Sequence, residues 1–314
     1  MALARKVGMK LTVRNEEYIS GGNMGCPGCG AVLSMRHVLK IMGRKTIVVM
    51  PACCWSIIAG PFPSTCLKVP LLHVPFEAAA ACAAGVRQAL IHQGREDITV
   101  MAWAGDGGTF DIGLQALSCT AERDEDIIYV CYDNEAYMNT GIQRSSATPE
   151  GSWTTTTPRG ESRFKKDIFE IVRAHRPAYV ATAVVTYAKD FQRKFEKAKA
   201  KKGFRFIHLL SACPPGWRIS PGDSIEVVRL AVETGIFPLK ETDDDGEVRL
   251  TYYPETLIPV SEYFRSQGRF RQMSEEQIAQ IQRFVEESMR QLGYWEENKG
   301  KRELNSITLR YLAA

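Results

Sequence analysis

Trp103-Ala104-Gly105-Asp106-Gly107-Gly108-Thr109-Phe110-Asp111 decides the fold of this 314-residue chain. The apolar run Ile98-Thr-Val-Met-Ala-Trp-Ala104 precedes the glycines, and the amphipathic Phe110-Asp-Ile-Gly-Leu-Gln-Ala-Leu117 follows them. That order predicts strand, tight turn, helix. Glycines let backbone N–H groups approach an anion closely, and the start of a helix points its positive end at it. Asp106 would repel a bare phosphate. A carboxylate beside a diphosphate becomes favourable when a divalent cation sits between them. Magnesium prefers six oxygens, so a second protein ligand is expected.

That ligand is offered by Ile127-Ile-Tyr-Val-Cys-Tyr-Asp-Asn134-Glu-Ala136-Tyr-Met-Asn139-Thr-Gly141. Its apolar half reads as a second buried strand with Asn134 at the carboxyl end. In a parallel sheet the ends of adjacent strands face one crevice, where ligands bind. The Asn134 amide oxygen and the Ala136 carbonyl then complete a magnesium site with Asp106. A Gly-Asp-Gly turn alone is weakly specific; paired with Asp-Asn after the next strand it resembles the thiamine diphosphate (ThDP) signature. Asp133 stands where that signature has its first Asn, while the metal-ligating Asn134 is kept.

Composition excludes several classes. With 45% apolar and 24% charged residues the chain is that of an ordinary globular protein, large enough for one α/β core and an extension. A net charge of +4 over this length gives no footprint for nucleic acid. No apolar run reaches the ~18 residues of a membrane span. Met1 to Lys10 lacks the apolar centre of a secretory signal, so a cytoplasmic location is expected.

Nine cysteines are an odd number and too sparse for a disulfide scaffold. Cys26-Pro-Gly-Cys29-Gly30 is a Cys-x-x-Cys in a glycine-rich turn. Cys53 and Cys54 follow the strand Thr46-Ile-Val-Val-Met50, and Cys213 follows Phe204-Arg-Phe-Ile-His-Leu-Leu210 in Ser211-Ala-Cys-Pro-Pro-Gly-Trp217. A zinc ribbon would need a second Cys-x-x-Cys, which is missing. A thioredoxin-like pair would want Cys29 at a helix start and has no use for Cys213. A four-thiolate iron–sulfur cluster can draw on Cys26, Cys29, one of Cys53 and Cys54, and Cys213. Cys66, Cys82, Cys119 and Cys131 read as small buried hydrophobes.

Together the two signatures resemble the β subunit of a 2-oxoacid:ferredoxin oxidoreductase, most closely the pyruvate type. The resemblance spans nearly the whole chain and is densest in Cys26–Gly30, Pro51-Ala-Cys-Cys-Trp-Ser56, Trp103–Pro149 and Ala212-Cys-Pro-Pro-Gly-Trp217. It implies ThDP, Mg2+ and a [4Fe-4S] cluster that passes electrons to ferredoxin. Cys54 falls at the third cluster-ligand position, giving Cys26, Cys29, Cys54 and Cys213. Asp106, Asn134 and the Ala136 carbonyl would hold magnesium, and Gly105, Gly107 and Gly108 with Asp106 the diphosphate. Asn139 matches an asparagine that faces the substrate and polarises it. Many relatives carry Glu after Cys-x-x-Cys-Gly; this chain has Ala31, which alters contacts beside the cofactor.

The rest of the chain reads as follows. Leu33–Met42 is a short helix with His37 at the surface, and Glu77–His92 an Ala-rich helix whose Glu77 is structural. His73 in Val69–Phe76 reads as a core histidine. Gly141–Arg163 is a polar loop that would close over substrate or brace a partner, with Trp153 as an interface anchor. Lys189–Lys202 is a helix with Phe191, Phe195 and Ala198 inward and lysines outward, ended by Gly203. Glu247–Tyr253 would pair with Phe237–Lys240, and Ser274-Glu-Glu-Gln277 has the pattern of a capping box opening a helix. Lys299–Ala314 would wrap a neighbour.

The expected architecture is a parallel α/β sheet flanked by helices, the ThDP-binding fold, over residues 1–235, with a C-terminal hairpin-and-helix extension over 236–314. The expected reaction is oxidative decarboxylation of a small 2-oxo acid such as pyruvate, with coenzyme A accepting the acyl group, or the related cleavage of oxalate without it. Two other classes fit the residues: a non-redox ThDP enzyme of the acetolactate-synthase sort, and a scaffold with a dead cofactor site. Thiamine activation needs a glutamate at its aminopyrimidine, and no second Gly-Asp-Gly-like unit fits in this chain. The resemblance assigns that glutamate to an α subunit, and further clusters to other subunits. The isolated chain, reconstituted with iron, sulfide, magnesium and ThDP, should therefore fail to reduce a viologen dye with a 2-oxo acid. Turnover matching the full complex would place the glutamate here.

Overall fold

Several strands of this chain are apolar at nearly every position, which requires cover on both faces of a sheet. The computed structural model, which describes residues 15–242 and 244–295, provides that cover. In chain order the elements are α1 (Gly30–Met42), β1 (Thr46–Pro51), α2 (Cys54–Ala59), β2 (Leu71–Val74), α3 (Ala79–His92), β3 (Thr99–Gly105), α4 (Leu114–Glu122), β4 (Ile128–Asp133), α5 (Ile168–Arg173) and β5 (Tyr179–Ala183). Then come α6 (Ala188–Ala200), β6 (Arg205–Leu210), α7 (Pro214–Trp217), α8 (Ser224–Glu233), β7 (Lys240–Thr242), β8 (Val248–Leu250), α9 (Val260–Arg265) and α10 (Glu275–Gln291).

The strands form one sheet in the order β2-β1-β3-β4-β6-β5-β7-β8. All neighbours from β2 to β5 run parallel; β7 and β8 are antiparallel additions at one edge. Side chains alternate between the faces. Val48, Met50, Trp103, Val130 and Ile207 pack with Met35 and Leu39 of α1 and Phe191 and Phe195 of α6. Val49, Val100, Ala102, Tyr129 and Phe206 pack with Ala83 of α3, Leu117 of α4 and Phe169 of α5. A third core joins Trp217, α8, the β7–β8 hairpin, α9 and α10.

This order fixes where a ligand can enter. From β1 the chain moves to β2 on one side, and from β3 to β4 on the other. The crevice between the carboxyl ends of β1 and β3 is thus a topological switch point, the place where open α/β sheets bind ligands. Cys53 and Cys54 stand at one lip and Gly105 to Gly108 at the other. Among the described residues no helix is long and apolar enough to cross a membrane.

Several expectations change. The helix expected from Phe110 starts instead as a π-helical turn, Gly107–Asp111, before α4 begins. His73 is exposed because β2 is an edge strand, so it is not a core histidine. Cys119 is exposed and Cys82 half-buried, whereas Cys66 and Cys131 are buried. On α6 the phenylalanines do face inward, but Lys194 is buried with them. Its ammonium contacts Asp190 at 2.6 Å and donates to the Thr182 carbonyl at 2.7 Å, which offsets the cost of removing it from water. The C-cap of α6 is Lys201; Gly203 instead leaves room for the Asp124 carboxylate, which a Cβ there would meet at 2.5 Å. Lys299–Ala314 lies outside the described residues.

The polar segment after Gly141 is the largest departure. It folds back into the molecule, burying Ser145, Ala147, Thr148, Ser152 and Thr154. Polarity does not hold a segment at the surface when its groups find internal partners. Thr148 Oγ1 donates to the Glu135 carbonyl at 2.8 Å, and the Thr154 and Thr157 hydroxyls pair at 2.7 Å. Trp153, expected at an interface, lies under the Arg218 guanidinium, 3.5 Å from its ring centre.

The hairpin forms with shorter strands than expected, pairing Lys240 with Leu250 and Thr242 with Val248. The capping box is present: Ser274 Oγ accepts from Gln277 N at 3.2 Å, and Ser274 N donates to Gln277 Oε1 at 3.0 Å. Ser274→Ala should lower stability by about 1 kcal/mol, the usual value of a lost N-cap. Denaturant unfolding of the purified protein measures this, and cofactor binding should not change because α10 lies away from the crevice.

Candidate active site

Strand β3 ends at Gly105, paired in register with Tyr132 of β4. The cavity beyond these ends is about 140 Å³ and is lined by Cys54, Phe76, Gly105 to Gly108, Asn134, Ala136, Tyr137 and Asn139. The structure thus brings the Gly-Asp-Gly turn, the Asp-Asn turn, Asn139 and both paired cysteines, Cys53 and Cys54, around one space. Gly107 is required by close approach, since a Cβ there would fall 2.2 Å from the Tyr137 ring. Tyr137 then donates to Asp111 Oδ2 at 2.8 Å and meets Phe76 edge to face, closing one wall.

Asp106 is 1% exposed. The Ser145 hydroxyl donates to its Oδ2 at 2.5 Å, which leaves Oδ1 facing the turn after β4. There the Asn134 side-chain oxygen lies 2.9 Å from Asp106 Oδ1 and 3.0 Å from the Ala136 carbonyl oxygen. In that orientation the Asn134 oxygen faces two other acceptors. Turning the amide over would place its NH2 between the other two oxygens as a double donor. In the bare protein the NH2 faces inward and donates to both; with a small hard dication bound, the amide oxygen would face inward instead. Asp106, Asn134 and the Ala136 carbonyl could therefore hold such an ion.

Behind this triangle is a buried charge network. Asp133 Oδ2 contacts Lys165 Nζ at 2.5 Å and His208 Nε2 at 2.7 Å. Glu135 accepts from Lys165 at 2.8 Å and from Arg269 Nη2 at 2.5 Å. Burial, then the neighbouring Asp133 charge, pushes the Asp106 carboxyl well above the ordinary carboxylate range, and the Ser145 hydrogen bond opposes this. Burial acts on Asp133 in the same direction, but Lys165 and His208 outweigh it and hold Asp133 low. Burial would lower the Lys165 ammonium; Asp133 and Glu135 hold it above its ordinary value.

The cysteines approach the crevice from its other side. Cys29 caps α1, Cys53 and Cys54 open α2, and Cys213 precedes α7. Gly30 allows the Cys-x-x-Cys turn to dock on the segment bearing Cys213: its N–H donates to the Ala212 carbonyl at 3.0 Å, and a Cβ would meet Ala212 N at 2.7 Å. Burial, then the thiols of Cys213, Cys53 and Cys29, pushes Cys54 up. Cys213 is pushed up to about 12 by burial and then by Cys29 and Cys26. Cys54 and Cys213 thus both lie within electrostatic reach of Cys29, with Cys26 on the side of Cys213 and Cys53 on the side of Cys54. Cys53 is engaged differently, its N–H donating to Ser56 Oγ at 3.2 Å. Among the described residues no three His, Cys, Asp or Glu side chains already stand in metal-binding geometry.

Sequence reasoning missed Ser145, Lys165, Glu135, Arg269 and Trp217, whose indole donates to the Asn134 carbonyl at 2.8 Å. None sits in a spacing that marks it. His208 had a signal, a polar residue within the otherwise apolar Phe206-Ile-His-Leu-Leu210.

Comparison with known proteins follows the same lines. Residues 54–209 match the thiamine pyrophosphate enzyme C-terminal TPP-binding domain. The pyruvate synthase subunit PorB of Methanothermobacter thermautotrophicus is 48% identical over 287 residues, covering 90% of this chain and 99% of its own. The ketoisovalerate oxidoreductase subunit VorB of Pyrococcus horikoshii is 46% identical over 303 residues, covering 93% and 97%. A solved structure, the 2-oxoglutarate:ferredoxin oxidoreductase from Magnetococcus marinus, shares the fold with a TM-score of 0.56 at 23% identity, over 69% of this chain and 82% of that one. This α/β chain, with its thiamine-binding domain, belongs to the PorB/VorB family of 2-oxoacid:ferredoxin oxidoreductase subunits.

Proposed function

We propose that this chain binds thiamine diphosphate through magnesium and holds a [4Fe-4S] cluster beside it, as the β subunit of an enzyme that oxidatively decarboxylates pyruvate. One observation carries the reading. The Asp106 carboxylate, the Asn134 side chain and the Ala136 carbonyl converge on the lip of a cavity that Cys53 and Cys54 also line. When bound, thiamine diphosphate would supply the electron sink for loss of carbon dioxide, and a cluster held by the thiols would supply an electron acceptor beside it.

The chain's own residues have separate tasks. Asp106, the Asn134 amide oxygen and the Ala136 carbonyl would hold the cation, and the turn Gly105–Gly108 would receive the diphosphate. Ser145 occupies one oxygen of Asp106 and so directs the other to the ion. Tyr137, packed over Gly107, excludes water from that wall. Asn139, on the same cavity, would orient the substrate carbonyl by hydrogen bonding. Cys26, Cys29, Cys54 and Cys213 would hold the cluster, while Cys53 is committed to the start of α2.

Partners complete the site. At about 140 Å³ the cavity is smaller than the ~300 Å³ at which small-molecule sites begin, as a half-site should be. A partner subunit would add the activating glutamate, coenzyme A would take the acyl group, and further clusters on other chains would carry electrons to ferredoxin. The relatives at 48% and 46% identity are named for pyruvate and for ketoisovalerate, so a branched 2-oxo acid is the second reading. Those names favour a 2-oxo acid over oxalate. They also favour a redox enzyme over a non-redox ThDP enzyme or a scaffold. Assays of the assembled complex with pyruvate, 3-methyl-2-oxobutanoate, 2-oxoglutarate and oxalate decide among substrates. Highest kcat/KM with pyruvate is expected, and preference for the branched acid selects the second reading.

Replacing Cys26, Cys29, Cys54 or Cys213 by Ser should lower iron content and abolish ferredoxin reduction, with Cys53→Ser much milder. Loss of the cluster in Cys53→Ser together with its retention in Cys54→Ser would reverse the assignment.

Asp106→Asn or Asn134→Leu should weaken magnesium-dependent ThDP binding by about 100-fold or more while iron content stays normal. Cation binding must displace the proton that the raised Asp106 carboxyl retains. Magnesium affinity should thus rise with pH between the ordinary 3.8 and the raised value. The sign for the cation-free protein is opposite: stability contributed by a raised acid is present below its ordinary pKa and lost as pH rises through the raised one. Thermal unfolding with and without chelator checks both, since chelation should cost more at the upper end of that window.

A further inference from the structure

The turn that carries two of the three converging oxygens is strained at its centre. Glu135 lies between Asn134 and Ala136 with φ of +71°, a left-handed conformation uncommon for a residue with a Cβ. Such conformations persist where surrounding structure over-determines them. Here every polar group of the residue is engaged although it is only 4% exposed. Its N–H donates to Asp133 Oδ1 at 2.9 Å, and its carbonyl accepts from Thr148 at 2.8 Å. Its carboxylate accepts from Lys165 on one oxygen and from Arg269 on the other. Arg269 is itself fixed, with Nε donating to Gln267 at 2.9 Å and the guanidinium 4.3 Å from the centre of the Trp217 ring. Trp217 in turn holds the Asn134 carbonyl.

We propose that Glu135 is a positioning residue for the cofactor cation. Its carboxylate, clamped between Lys165 and Arg269, locks the left-handed turn that points the Asn134 amide and the Ala136 carbonyl toward Asp106. The inference rests on the reading of Asp106, Asn134 and Ala136 as a cation site. A glycine would adopt this turn without strain but would leave the carbonyl free to wander. The glutamate makes the turn rigid by tying it to two cationic side chains from distant parts of the chain. Rigidity bears on ion choice. Magnesium demands near-ideal octahedral geometry, whereas calcium accepts irregular and larger shells. The clamp thereby sets the preference for the smaller ion.

The test uses the assembled complex stripped of ThDP and divalent cations. ThDP binding is followed by equilibrium dialysis while Mg2+ or Ca2+ is titrated. Glu135→Gln should raise the half-saturating Mg2+ concentration by about 10- to 100-fold, as loss of a supporting outer-shell group does, with a much smaller change for Ca2+. Glu135→Gly, which relieves the strain but removes the anchor, should behave alike. Arg269→Lys keeps the charge and loses the planar fork; it should shift the Mg2+/Ca2+ ratio in the same direction, and it decides the matter if the Glu135 variants fail to assemble. A wild-type Mg2+/Ca2+ ratio in the variants that assemble would overturn the inference. Asp106→Asn distinguishes this from failure of the site itself. If that variant keeps cation-dependent ThDP binding, the cation site is lost and the clamp with it; if it abolishes binding while the Glu135 variants remain wild-type, only the clamp fails.

Discussion

The Asp106 carboxylate, the Asn134 amide and the Ala136 carbonyl meet in one buried turn, and much of the surrounding structure holds them there. The carboxylates of Asp106, Asp133 and Glu135 are all withdrawn from water. Two of the three are answered by Lys165 and Arg269, with His208 on Asp133 as well. Asp106 has only neutral partners, the Ser145 hydroxyl on one oxygen and the Asn134 amide on the other. A buried carboxylate with so little compensation either keeps its proton or takes a cation.

The same framework joins the cation turn to the thiols. Trp217 donates its indole N–H to the Asn134 carbonyl, while its backbone N–H returns to the Cys213 carbonyl at 2.8 Å. The Cys26–Cys29 turn in turn sits on Ala212 through Gly30. A shift of either centre must therefore be transmitted through one aromatic residue and a short, buried segment. If the proposed cofactor and cluster occupy these two places, a fixed spacing between them is the useful consequence.

The C-terminal part of the chain belongs to this framework. Hairpin β7–β8 extends the main sheet through Glu241 opposite Ala181, and Glu241 accepts from Tyr179 at 2.7 Å. Burial would raise the Glu241 carboxyl, but Arg193 and Tyr179 bring it down to about 2. Beyond the hairpin, the stretch leading into α10 carries Arg269 back to Glu135. The residues that follow the sheet therefore brace the mouth of the crevice.

Sequence alone determined the parallel α/β sheet and the turn at Asp106, and it put forward Asn134 and Ala136 as candidate ligands and, through the family resemblance, Cys54 rather than Cys53. These features are local: apolar runs set strands, glycines set turns, and strand ends in a parallel sheet share one edge. Tertiary structure decided what local pattern cannot carry. Residues 141–163 read as a polar loop that would not fold back as core, because composition does not reveal that Ser145 and Thr148 find partners on other turns. His73 read as core because its neighbours are apolar, and only the strand order shows that β2 is an edge. Lys165, Glu135 and Arg269 come from separated positions and share no spacing. Their association exists only because burying the carboxylates of Asp133 and Glu135 requires cations, and the fold supplies them from wherever the chain passes nearest.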